Sequence, residues 1–212
     1  MSRRDTARPG LYIVSGPSGA GKTSVCGPLL ASIGSVEPGV SVTTRRARAG
    51  EREGQDYRFV DAATFDAMVA AGEFAEWAEV HGNRYGTTCR SIEEPVEGGR
   101  AVLLDIDVQG ARQLRALYPD AVTVFLMPPS PEVLEQRLAA RGTEAHADLE
   151  LRLATACSEI AEAANYDYVI VNDDLDTAAG ELRSLVVDGP DRQSRHPSER
   201  IRGLVAAFGA RR

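Results

Sequence analysis

GPSGAGKT, residues Gly16 to Thr23, is the stretch whose reading decides the fold. It fits G-x-x-x-x-G-K-[ST] and stands between a β-branched apolar run, LYIVS (Leu11 to Ser15), and a helix-compatible segment, TSVCGPLLASI (Thr23 to Ile33). Strand, glycine-rich turn and helix in that order make the pattern a phosphate-binding loop, in which backbone N–H groups and the positive end of the helix dipole converge on an anion. Lys22 is the single lysine among the 24 Lys and Arg residues of the chain. A compact ammonium on a flexible stem fits inside a backbone cradle, whereas a planar guanidinium fork collides with it. Thr23 supplies a hydroxyl suited to Mg²⁺ beside the phosphates of ATP.

Outward from the loop the same rhythm returns. AVLLDID (Ala101 to Asp107) runs into VQGARQLRAL, VTVFLM (Val122 to Met127) into SPEVLEQRLAAR with Ser130 as cap and Pro131 at the first helical position, and YDYVIV (Tyr166 to Val171) into DDLDTAAGELRSLVV. Apolar strands alternating with helices predict an α/β fold with a parallel sheet flanked by helices. Residues 40–88 break the pattern with the alternating segments SVTTR, DYRFV and AEWAEV and a short helix near ATFDAMVAAG, which predicts an inserted, mainly antiparallel lobe.

A length of 212 residues, 43% hydrophobic and 26% charged, suits one domain with excursions. The net charge of -7 argues against a nucleic-acid-coating protein, because phosphate-backbone affinity needs surplus cations. Cys26, Cys89 and Cys157 lack disulfide or metal-type spacing and read as reduced thiols, and no window is long and apolar enough for a signal peptide or a membrane span. The expectation is a cytoplasmic protein without membrane partners, its state as monomer or homodimer left open.

SVTTRRARAGEREGQDYRFV places Arg45, Arg48 and Tyr57 together, and Tyr85 follows in GNRYGT. Two guanidiniums and two phenols suit a phosphate monoester, although in so arginine-rich a chain an arginine pair, on spacing alone, is usually a solvated face. TTRRARAGEREGQDYRFV, GEFAEWAEVHGNRYGT, LDIDVQGA, RGTE and VIVNDDLD, in this order after GPSGAGKT, resemble the guanylate kinase family from about Leu11 to Asp188.

The resemblance implies a nucleoside-monophosphate-kinase fold: core at 11–39, 89–128 and 151–188, GMP-binding lobe at 40–88, helical lid at 129–150 and a C-terminal extension at 189–212. It implies transfer of the γ-phosphate of ATP to GMP with Mg²⁺, giving ADP and GDP. Gly16, Pro17, Ser18, Gly19, Ala20, Gly21, Lys22, Thr23 and Ser24 would hold ATP, with Arg137, Arg141 and Arg152 on its phosphates and Asn172 at adenine; Arg137 is equally readable as a surface charge. Arg45, Arg48, Glu51, Tyr57 and Tyr85 would surround the GMP phosphate, and Ser41, Glu76, Thr87 and Asp107 the guanine. Lys22, Arg45, Arg141 and Arg152 would carry catalysis, and Thr23 and Asp105 the metal. Guanine presents N1–H and N2–H₂ to a carboxylate such as Glu76, whereas adenine sets a lone pair against it. The rival readings are a peptide-binding module of the same fold and a kinase for another nucleoside monophosphate. In the extension, Ile201, Leu204, Val205 and Phe208 fall at i, i+3, i+4 and i+7 behind a Ser198 cap, so an amphipathic helix and a basic tail are both admissible. Every assigned residue lies upstream, so truncation after Asp188 is expected to be tolerated.

Overall fold

β1 (Gly10–Ser15) occupies the centre of a parallel sheet, and the chain leaves it through the phosphate loop into α1 (Lys22–Ser32). The computed structural model describes residues 6–80, 82–140, 146–189 and 199–211. After α1 come β2 (Val36–Pro38), β3 (Val42–Thr43), β4 (Arg58–Phe59), α2 (Ala62–Ala70), β5 (Phe74–Val80), β6 (Asn83–Thr88) and α3 (Cys89–Glu97). β7 (Ala101–Asp105), α4 (Val108–Leu117), β8 (Val122–Met127), α5 (Pro131–Ala139) and α6 (His146–Ile160) follow. A 3-10 turn (Ala161–Asn165), β9 (Tyr168–Val171), α7 (Leu175–Val187) and α8 (Glu199–Gly209) complete the chain.

The strand order β2-β7-β1-β8-β9 is parallel throughout. Successive side chains of a strand point to opposite faces, and here both faces are buried. Leu11, Ile13, Val102, Leu104, Phe125 and Met127 join α3, α4, α5, α6 and α8 on one face. Tyr12, Val14, Leu103, Val124, Leu126 and Ile170 join α1 and α7 on the other. This double burial is why the strands read as unbroken apolar runs.

Residues 42–88 build the second sheet, ordered β4-β3-β6-β5, with β3–β6 and β5–β6 antiparallel and β3–β4 parallel. Val42, Phe65 and Met68 form its own small core under α2. Its outer strand β5 packs against α4 of the main body. Ser130 caps its helix as expected, and Asp61, Thr88, Asp107 and Asp174 likewise each accept a backbone N–H of the first turn they cap. α3 is not signalled by the sequence, since Pro95 within it removes a backbone donor. Cys26 and Cys157 are buried, Cys89 half-buried, and none of the three is in a disulfide.

Within the extension, the described residues Glu199–Gly209 form a helix docked on this chain. Phe208 is fully buried in the main core, with Ile201, Leu204 and Val205 packed against the same cluster, and α8 lies on α6 and the 3-10 turn. Arg211 pairs with Glu132 and Glu135 of α5, and Arg200 with Asp173. Ser198, expected as its cap, lies outside the described residues.

Candidate active site

The phosphate loop is braced from behind. At Gly16 (φ 149°) a Cβ would stand 2.3 Å from the Leu126 carbonyl oxygen, so only glycine lets the loop lie this close to β8. Lys22 Nζ donates to the Gly16 carbonyl at 2.8 Å, which folds the side chain back across the loop it starts from. Thr23 Oγ1 donates to Asp105 Oδ2 at 2.8 Å, bringing together the two residues assigned to Mg²⁺ at the C-terminal ends of the adjacent parallel strands β1 and β7. Asn172 Nδ2 donates to the Ala20 carbonyl at 2.7 Å, while Arg137 donates to the carbonyls of Asn172 (3.0 Å) and Ala20 (3.5 Å). Arg137 is thus half-buried and ties the end of β9 to the loop, unlike a surface charge. Ser24 is exposed on α1.

Across from the loop, one cavity is lined by Lys22, Ser41, Tyr57, Glu76, Tyr85, Asp105 and Asp107. Glu76 on β5 is 5% exposed and accepts the Thr87 hydroxyl at 2.6 Å; the β5–β6 register sets these two residues opposite each other. The Ser41 and Thr87 hydroxyl oxygens lie 3.5 Å apart. Asp107 caps α4 through the Gly110 N–H at 2.7 Å. Arg45 makes a forked pair with Glu51 at 2.8 and 3.0 Å, and its guanidinium stands 5.3 Å over the Tyr57 ring. Tyr57 meets Tyr85 edge-on at 6.1 Å. Glu51 also accepts the Arg48 backbone N–H at 2.7 Å, so one carboxylate shapes the whole arginine loop; the Arg45 bond, then that N–H, hold its carboxyl below the usual range. Arg48 itself is exposed.

Burial raises the Glu76 carboxyl to about 7, with the Thr87 bond opposing and the nearby Asp107 charge adding to the rise. Between its ordinary 4.5 and 7 the folded protein therefore holds a proton that the unfolded chain has released. Stability from this group is complete below about 4.5 and is lost as pH rises through 7, a difference on the order of 3 kcal/mol. Glu76→Gln, which keeps an acceptor for Thr87, should melt above the parent protein at pH 8 and level with it at pH 4.5. Equal melting temperatures at pH 8 would show that the carboxyl is not desolvated.

Arg152 is half-buried on α6, whereas Arg141 lies outside the described residues, as does part of the segment assigned to the lid. Sequence reasoning passed over Glu159. Its carboxyl is raised to about 7 by burial, with the Lys22 charge and the Ser18 N–H opposing and Asp107 adding, which puts it against the phosphate loop. It follows Arg152 by seven residues, two helical turns, so one face of α6 carries both; that periodicity was the available signal.

A family model described as guanylate kinase matches residues 8–188. The chain belongs to the guanylate kinase family. Among family members, a guanylate kinase of Symbiobacterium thermophilum is 48% identical over 195 residues, 92% of each chain. One of Nitrosomonas europaea is 48% identical over 198 residues, 93% of this chain and 98% of its own. The crystal structure of guanylate kinase from Anaplasma phagocytophilum superposes with a TM-score of 0.72 at 35% identity, covering 94% of both chains. The guanylate kinase family thus accounts for the parallel core and the inserted sheet together.

Proposed function

We propose that the protein transfers the γ-phosphate of ATP to GMP, giving ADP and GDP. The observation that carries this reading is that Lys22 of the phosphate loop and Glu76 of the second sheet line one cavity, so a donor phosphate and an acceptor base fit the same cleft. Residues 40–88 would form the GMP lobe and residues 129–150 the lid. In the proposal the loop N–H groups and Lys22 hold the donor phosphates, Arg45, Tyr57 and Tyr85 take the acceptor phosphate, and ionised Glu76 accepts from guanine N1–H and N2–H₂. Thr87, whose proton is directed at Glu76, fixes that carboxylate, while Ser41 and Asp107 complete the guanine pocket. Arg152 and Arg141 would reach the ATP phosphates, and Asn172 would present the loop to adenine.

A hydroxyl and a carboxylate at a phosphate loop suit Mg²⁺, which binds through few protein oxygens together with substrate phosphates. Thr23 and Asp105 would hold it, and when bound it supplies charge neutralisation of the phosphates. No group of three or more His, Cys, Asp and Glu side chains placed to hold a metal occurs among the described residues. No general base is required, since phosphoryl transfer has a loose transition state and depends on alignment and cations. A peptide-binding module would have no use for a lysine directed across such a loop.

Acceptor selectivity tests the reading. Glu76→Gln turns one acceptor toward N1–H into a donor, and the preference for GMP over AMP should fall about 10- to 1,000-fold. ADP release from ATP with each acceptor measures it, and an unchanged ratio would remove Glu76 from the guanine site.

A further inference from the structure

β5 is the outer strand of its sheet, and its exposed edge is closed by a side chain from the other sheet's body. Gln113 on α4 accepts the Trp77 N–H at 3.3 Å and donates its Nε2 to the Trp77 carbonyl at 3.0 Å. A carboxamide carries both a donor and an acceptor, so it substitutes for one peptide of a missing neighbour strand. Trp77 directly follows Glu76. One turn before Gln113 on α4, and on the same face, stands Gly110. A Cβ at Gly110 would lie 2.6 Å from Glu76 Oε2 and 3.1 Å from its Cδ, so the carboxylate rests on the bare backbone of the helix. The Asp107 cap holds the Gly110 N–H in place.

We infer that Gln113 is a positioning residue for acceptor choice: by clasping the Trp77 peptide to α4 it seats Glu76 over Gly110, where the helix, lacking a Cβ, leaves room for a carboxylate. The inference rests on the proposed role of Glu76 at guanine. Glu76 spans the junction between the two sheets' bodies, and a carboxylate on an unclasped edge strand would sample several distances from the base. Hydrogen-bond discrimination depends on one of them. Gln113 touches no reacting atom and acts through Glu76.

Gln113→Met keeps the length of the side chain and removes both bonds, and Gln113 is exposed, so the change is compatible with folding. The expected result is a fall of about 5- to 30-fold in kcat/KM for GMP, the worth of two hydrogen bonds. KM for ATP and kcat at saturating GMP should hold, and the GMP-over-AMP ratio should drop. Trp77, the only tryptophan, should report the released clasp through a shifted emission maximum. Gly110→Ala should erode the same ratio by displacing the carboxylate. In a Glu76→Gln background, Gln113→Met should leave the ratio where Glu76→Gln put it, because the clasp has nothing left to seat. If Glu76→Gln leaves the ratio intact, the reading of Glu76 fails. If Glu76→Gln lowers it and Gln113→Met does not, or lowers only the melting temperature, the clasp is structural and the inference is overturned.

Discussion

Lys22→Arg is expected to lower kcat about 100- to 1,000-fold, the loss that follows removal of one well-placed donor from developing charge. Charge is retained in this variant, so the loss measures shape. Lys22 Nζ sits 2.8 Å from the carbonyl that opens its own loop, a span an ammonium bridges with room for phosphate oxygens on its other protons. A guanidinium is planar and wider, and its five donors cannot be turned inward together. Lysine labelling gives a second check, because an amine-reactive reagent has one side-chain target here. MgATP should suppress that adduct, and the adduct should abolish turnover. Turnover near the parent's in Lys22→Arg, or labelling indifferent to MgATP, would refute the role given to this side chain.

Phe208→Ala should cost about 3–5 kcal/mol, the range for deleting a buried aromatic, or roughly 6–20 °C in melting temperature at this chain length. The ring is 0% exposed and shares a cluster with β8, α5 and α6. Truncation after Asp188 removes it with the partly buried Ile201, Leu204 and Val205, against a total stability of about 5–15 kcal/mol. The shortened chain should be poorly folded, contrary to the expectation from site residues alone. The ion pairs of Arg211 are surface pairs worth about 0–1 kcal/mol, so Arg211→Ala should melt within a few degrees of the parent. A truncated protein melting at the parental temperature would make α8 an accessory.

What the sequence reveals follows how local each signal is. The β1–loop–α1 unit needs only consecutive residues, and its apolar run, glycines and lysine announce it directly. Glu76 and Thr87 meet through strand register, which period alone leaves undetermined; only the resemblance joins them to one site. Arg137 looks like any helix-surface arginine until β9 brings the Asn172 carbonyl to it. Gln113 is silent, since a polar side chain on a helix is the ordinary solvated case, and Glu159 is marked only by its two-turn spacing from Arg152. β2, three residues long, and α3, with its internal proline, fall below what periodicity can register. α8 had the right period, but docking depends on the distant surface it meets.

The position of β1 at the centre of its sheet also sets an order of events for a growing chain. Gly10 pairs with Ala101 and Tyr12 with Val122, so β1 waits for partners that emerge about a hundred residues later. Val42 to Thr88, by contrast, pair among themselves. Closing long loops is entropically costly and slow, while nearby pairings form early. During synthesis the inserted sheet is therefore able to assemble first, with the glycine loop still unshaped. The carbonyl of Leu126 and the side chains of Arg137 and Asn172, which give that loop its form, are made well after it, so competence to grip a phosphate is acquired only when Asn172, 152 residues beyond Ala20, has followed the motif.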